Sequence, residues 1–203
     1  MDNFKRCEDK DFFESYNNND FVDGIYNSVV VGNIDISDVE FNSCIFNDCD
    51  FSLCSLDKID LYDVKFINCD LSNKKFRGSA VHRVVFENCK ILGCSFDEMS
   101  LRNIEFNECN CNYINFSECK FNDVKFNDCN LSYMSMYSNE FKKIDFNNCN
   151  MSNSEVMNCS FKGIDLSSCD ISNIGFDNYS VRGVIIDSFQ AMELIHMLGV
   201  KIK

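Results

Sequence analysis

The chain has 203 residues, 45% of them apolar, with 20 Phe, 14 Cys, no Pro and no Trp, and 19 Lys+Arg stand against 32 Asp+Glu for a formal net charge of −13. That length and apolar fraction predict one domain with a filled core, and the acidity argues against a sequence-wide basic footprint for nucleic acid or docking on an anionic membrane. No apolar run reaches the roughly 18–20 residues of a membrane span, and no basic stretch followed by an apolar one opens the chain. The thiols are therefore expected to be reduced and the protein cytoplasmic.

Residues 1–15 show no period and read as an N-terminal cap in which Phe4, Phe12 and Phe13 cover an otherwise open strand edge. From Tyr16 every fifth residue is apolar: Phe21, Tyr26, Val31, Ile36, Phe41, Phe46 and onward to Val181 and Ile186, 35 positions without a gap, holding 16 of the 20 Phe. A second series lies two residues earlier (Cys44, Cys49, Cys54, Ile59, Val64, Cys69) and takes 12 of the 14 Cys. A helix repeats at about 3.6 and a strand at 2, so a period of five requires the chain to turn once per unit.

Identical residues also return every 20 positions, as in Cys49, Cys69, Cys89, Cys109, Cys129, Cys149 and Cys169. The segments VKFINCDLSN at 64–73, VKFNDCNLSY at 124–133 and IDFNNCNMSN at 144–153 make the longer block visible. Four units per coil give a square-section, all-β solenoid over residues 16–186, with coils about 4.8 Å apart and stability close to additive along its length.

A cysteine column at that spacing allows three readings. Disulfides would need Cβ atoms about 3.8 Å apart, zinc would need tetrahedral convergence, and small buried hydrophobes need neither. The last is favoured. The C-x-C of Cys109 and Cys111 is read in the same way, since both take inward positions. Lys74, Ser79, Asn139 and Ser154 occupy small inward slots and Tyr179 overfills one. An unpaired buried Lys is costly, so Lys74 is expected to swing outward on a local bulge.

Residues 187–203 read as a helix and a short strand. Ala191, Leu194, Ile195 and Leu198 share one helical face, with Ser188 as N-cap and Gly199 as the stop. Phe189, Met192 and Met197 add apolar surface around that face, and Val200 and Ile202 follow. That excess predicts a homodimer through the C-terminus, using Phe189, Met192, Leu194, Ile195, Leu198, Val200 and Ile202, with a simple lid over the last coil as the other reading.

No constellation for catalysis, cofactor or metal appears. His82 and His196 lie far apart along the rod, which is filled by its own side chains and is expected to lack a ligand-sized pocket. The chain reads as a non-enzyme. Sorting outward charges by side gives an uneven surface. One side carries Asp48, Glu87, Glu105, Glu108, Asp128, Asp145, Asp165 and Asp187 against Lys65 and Lys125, a net of −6. Another carries Arg83, Arg102, Lys120, Lys142, Lys143, Lys162 and Arg182 against Glu40, Asp60, Asp63, Asp123 and Glu140, a net of +2. The acidic side, through Glu87, Glu105, Glu108, Asp128, Asp145 and Asp165, is the candidate partner-binding surface.

The five-residue unit resembles the pentapeptide-repeat proteins, which implies a right-handed quadrilateral β-helix. Those proteins usually carry Ala where this chain carries Cys, Val or Ile. The ending RGVIIDSFQAMELIHMLGVKI at 182–202 resembles the quinolone-resistance (Qnr-type) group in Arg182, Gly183, Val184, Phe189, Gln190, Ala191, Leu194, Leu198, Gly199, Val200 and Ile202. That resemblance implies a dimeric DNA mimic that binds DNA gyrase or topoisomerase IV. Many members of the group carry loops between coils; the unbroken phase here has none. A structural scaffold binding a different protein partner is the other reading.

Overall fold

The turn that a period of five demands is made by one backbone feature at one position of each unit. Two residues after the large apolar residue the chain enters the left-handed region, as at Ser43, Asp63, Arg83, Asn103 and Asp123, with φ of 54, 54, 56, 55 and 63°. That conformation costs an L-residue about 1–2 kcal/mol, least for Asn and Asp. Burial of a large apolar side chain in the same unit, about 1.5–3 kcal/mol, offsets it. In the computed structural model, which describes residues 4 and 6–195, this corner recurs along most of the chain.

Successive coils pair in parallel at a shift of 20 residues, so Phe46 faces Phe66 and Phe106 faces Phe126. Two sides of the square are drawn by the bent strands Glu40–Asn47, Asp60–Ile67, Val81–Glu87, Ser100–Asn107, Lys120–Asn127 and Glu140–Asn147. A third side is a line of single bridges through Asp50, Asp70, Lys90, Asn110, Asn130, Asn150 and Asp170. The fourth is built from Ser95–Asp97, Asn115–Ser117, Ser135–Tyr137, Glu155–Met157 and Gly175–Phe176. The chain is thus a parallel β-solenoid with about 20 residues per coil.

Its interior is a set of axial stacks. Phe66, Phe86, Phe106 and Phe126 lie nearly parallel, with centroids 5.3, 4.9 and 4.6 Å apart. Beside them run the cysteines, thirteen of which are buried and free. In the column from Cys49 to Cys169 each thiol also donates to a carbonyl in the preceding coil, as Cys69 to Phe46, Cys89 to Phe66 and Cys129 to Phe106 at 3.4, 3.4 and 3.3 Å. Cys therefore fills the slot as a small apolar group while supplying a weak donor that Val or Ile cannot.

The five exceptions to the inward pattern are met in four ways. Lys74 does not swing outward. It is buried, and its Nζ donates to the carbonyls of Ser52 and Cys54 at 2.8 and 2.5 Å. Its long stem lets the ammonium reach oxygen from inside the slot, so no bulge forms there. Asn139 and Ser154 copy the cysteine geometry, donating to Phe116 and Leu131 carbonyls at 2.9 and 3.0 Å. Ser79 is buried with its hydroxyl unpartnered. Tyr179 does not overfill its slot; it is turned outward, and the fully buried Ser180 takes the place, accepting from the Cys159 N–H at 2.9 Å. A one-residue slip is less costly there than a phenol ring in a methyl-sized space.

At the N-terminal end the helix α1, Phe12–Asn18, is capped by Asp11, whose carboxylate accepts from the Glu14 N–H at 2.8 Å. Tyr16, the first residue of the five-residue series, lies within it. Phe12 is buried against Phe21, Tyr26, Phe46 and Phe51, whereas Phe13 faces outward and Phe4 is half-buried. Glu8–Asp9 adds a short strand beside Gly24–Asn27.

At the other end the helix α2, Gln190–Ile195, is capped by Asp187 rather than Ser188, because the Asp187 carboxylate accepts from both Phe189 and Gln190 N–H groups at 2.8 Å. Gln190 plugs the last coil by donating to the carbonyls of Leu166 and Cys169. The positions expected at Leu198, Gly199, Val200 and Ile202 lie outside the described residues.

Candidate protein-binding face

The acidic side follows the second halves of the bent strands: Glu87, Glu105 and Asp145 lie within them, Glu108 and Asp128 one residue past their ends, and Asp165 at an isolated bridge to Ile185. The structure separates its acids into two kinds. Glu87 pairs with Lys65 at 2.6 Å and Glu105 with Lys125 at 2.8 Å. Glu105 raises the Lys125 ammonium above its ordinary range. Asp187 is occupied as the cap of α2. Glu108, Asp128, Asp145 and Asp165 form no ion pair among the described residues, and they fall on four successive coils.

Their environments differ. Asp128 accepts from the Asn148 amide at 3.2 Å, within a ladder of polar contacts that also links Asn68 to Asp48 and Asn88 to Asn68. Asp165 accepts from the Ser167 N–H at 2.9 Å, and hydrogen bonds from the Ser167 hydroxyl and backbone hold its carboxyl below the usual range. The Ser167 contacts favour the charged form of Asp165, and the Asn148 contact orients Asp128. Glu108 and Asp128 stack at one position of the coil, and Asp145 and Asp165 at another three residues earlier, so this side carries one unpaired negative charge per coil, about every 4.8 Å of rod, against one per about 1.7 Å of duplex DNA axis. The sequence places these acids on one side; it does not show which are neutralised, because Lys65 and Glu87 meet only across two coils.

Two features escaped sequence reasoning. Tyr113 and Tyr133 are exposed at left-handed corners and stack at 4.9 Å. Their 20-residue spacing was the available signal. The surface is also not free of concavities. A groove of about 460 Å³ opens beside Lys74, and an apolar one of about 190 Å³ lies between the last coil and α2, lined by Phe176, Val181, Ile186, Ala191, Leu194 and Ile195. Phe189 and Met192 project beside it, exposed at 81% and 51%, while Leu194 and Ile195 are half-buried. Among the described residues no three His, Cys, Asp or Glu side chains are placed to hold a metal ion.

A solenoid of four-sided coils with an inward residue pair every five positions defines a repeat protein that presents surfaces rather than pockets. Residues 39–116 and 79–156 match the family model described as the pentapeptide repeat region, and the chain belongs to that family. Among solved structures, a trypsin-treated form of QnrB1, described as a plasmid-mediated fluoroquinolone resistance protein, is similar at 21% identity, with 90% of this chain and 93% of that one covered and a TM-score of 0.46. Full-length QnrB1 gives 16% identity, 87% and 100% coverage and a TM-score of 0.36. HetL, a pentapeptide repeat protein involved in heterocyst differentiation regulation from the cyanobacterium Nostoc sp. strain PCC 7120, gives 11% identity, 87% and 95% coverage and a TM-score of 0.27. No curated protein sequence matches the chain.

Proposed function

We propose that this protein is a cytoplasmic, non-enzymatic DNA mimic that binds a type II topoisomerase, DNA gyrase or topoisomerase IV, and shields it from quinolones. The observation that carries the reading is the row Glu108, Asp128, Asp145 and Asp165, one unpaired carboxylate on each of four successive coils of a straight rod. A groove built to hold phosphates meets in it charge of the same sign, repeated once per coil. The ending at 182–202, with Arg182, Gly183, Val184, Phe189, Gln190 and Ala191, supports the same reading. The charge density is below that of DNA, so the rod's shape contributes the remainder of the fit. Dimerisation through Phe189, Met192, Leu194 and Ile195 would extend the rod end to end.

Gyrase supercoiling, with and without a quinolone, tests this. Stoichiometric protein should inhibit supercoiling or relieve drug inhibition. The quadruple variant Glu108→Lys, Asp128→Lys, Asp145→Lys, Asp165→Lys should lose that effect while keeping its circular dichroism. If wild-type protein neither inhibits nor protects and forms no complex at low salt, the proposal fails and the scaffold reading, with another protein partner, takes its place.

A further inference from the structure

The side that precedes the acidic one in each coil carries the opposite charge. Between Arg102 and Arg182 it has six cations, Arg102, Lys120, Lys142, Lys143, Lys162 and Arg182, against Asp123 and Glu140. Both acids are already engaged, Asp123 by Lys143 at 2.8 Å and Glu140 by Lys120 at 3.9 Å. Arg102, Lys142, Lys162 and Arg182 are exposed and form no ion pair among the described residues. All four occupy the same sequence position of their units, with Asn122 at that position in the coil between Arg102 and Lys142, so Lys142, Lys162 and Arg182 fall on three successive coils and Arg102 lies two coils away, on a chain whose net charge is −13.

Two departures from regularity coincide with this row. The bent sheet shifts register between Phe141 and Lys143, so that Lys143 rather than Lys142 faces Asn122. Lys142 is thereby released from the ladder, and Phe141 is only half-buried where Phe121 and Phe161 are buried. Bulges characteristically re-aim a side chain at the expense of local pairing. Next to Lys162 and Arg182 the corner residues are Gly163 and Gly183. Their φ of 80 and 76° lies beyond the 55 and 63° of Asn103 and Asp123 at the equivalent corner, and a Cβ on Gly183 would come within 3.1 Å of the Lys162 stem, so glycine gives Lys162 room there. A Cβ on Gly163 would have nothing within 4 Å, so this shoulder of the rod is bare.

We propose that this row is a docking surface for an acidic α-helix of a protein partner, with Phe141 as its apolar centre. Spacing selects the helix. Carboxylates at i, i+4 and i+7 recur about every 5.4 Å, against about 4.8 Å per coil for Lys142, Lys162 and Arg182, and a further carboxylate two turns away falls near Arg102. The mismatch of about 0.6 Å per coil is within the reach of flexible Lys and Arg stems. Same-face side chains of an extended peptide recur about every 6.7 Å and lose step within two coils. Duplex DNA would bring its phosphates within about 10 Å of the neighbouring side of net −6, where repulsion is not screened. This surface is separate from the acidic row and does not depend on the topoisomerase reading.

The test uses the full-length protein and two labelled Ala/Glu helical peptides of about 20 residues with the same composition. One carries Glu on a single face at i, i+4, i+7 and i+11; the other distributes it around the helix. Fluorescence anisotropy at about 25 mM salt should show the one-faced peptide binding about tenfold more tightly. The Lys142→Glu/Lys162→Glu variant should lose about tenfold in affinity for it. Lys142→Met/Lys162→Met, which keeps the stems, should lose less, and Glu108→Gln/Asp128→Gln should not weaken it. Equal binding of both peptides, no loss in either lysine variant, or tighter binding of a duplex DNA of the same charge would overturn the proposal. Thermal melting of each variant separates lost binding from lost fold.

Discussion

Lys74 shows how a single slot can be solved in an unexpected way. Its ammonium is out of water and is held by two neutral carbonyls, with no carboxylate in ion-pair range among the described residues. Buried charge of this kind is poorly compensated, and the coils on either side place Cys54 and Cys94 in the same slot. Lys74→Cys should therefore raise stability by about 1–2 kcal/mol, because the thiol would face the Phe51 carbonyl as Cys94 faces that of Leu71 at 2.9 Å. A lower urea midpoint for the variant would show that the two carbonyl contacts outweigh the desolvation. The thiols carry a pH prediction. Burial pushes Cys44, Cys54 and Cys119 up to about 11, and the buried Tyr26 hydroxyl up to about 12. The unfolded chain releases these protons first. Their contribution is complete below the ordinary thiol value of 9.0 and is lost as pH rises toward about 11. Urea midpoints should hold from pH 7 to 8 and fall between pH 9 and 10.5; a flat profile would mean that the thiols ionise in place.

The element that carries stability is the coil stack, not any single strand. Phe106 lies between Phe86 and Phe126 with centroids 4.9 and 4.6 Å away, fully buried. Phe141 belongs to the same five-residue series but is half-buried beside the bulge. Phe106→Ala should cost about 3–5 kcal/mol and Phe141→Ala only about 1–2 kcal/mol, read from urea unfolding of each. The reverse order would show that the bulged coil is the tighter one. How much was legible at this scale follows from what repeats. The Phe and Cys columns are periodic and visible in one dimension. The left-handed corner is rich in Asn, Asp and Gly at one position of the unit, a signal that the apolar period by itself did not bring out. The bulge at Phe141–Lys143 and the slip from Tyr179 to Ser180 leave the apolar series intact, so only the backbone reveals them.

For the whole molecule, the two ends close differently. The first coil is covered by Phe12 and the strand Glu8–Asp9, and the last by Gln190. Phe189 and Met192 remain exposed beside an apolar groove of about 190 Å³. If that end is the dimer contact, light scattering should give twice the chain mass of 23.5 kDa. Phe189→Asp/Met192→Asp should return it to the single-chain value without changing the melting temperature by more than a few degrees. A monomeric wild type at micromolar concentration would remove the end-to-end rod from the functional proposal.

The amino-acid sequence alone determined the coil, its length of 20 residues, the inward series and the side on which each charge lies, because a solenoid maps sequence position directly onto position in space. Only the tertiary structure decided which charges are free. Glu87 and Glu105 are neutralised by Lys65 and Lys125, Asp187 turns to cap a helix, and Lys142 is released by a bulge. Those outcomes depend on side-chain reach between neighbouring coils and on local register, which a periodic pattern leaves unspecified.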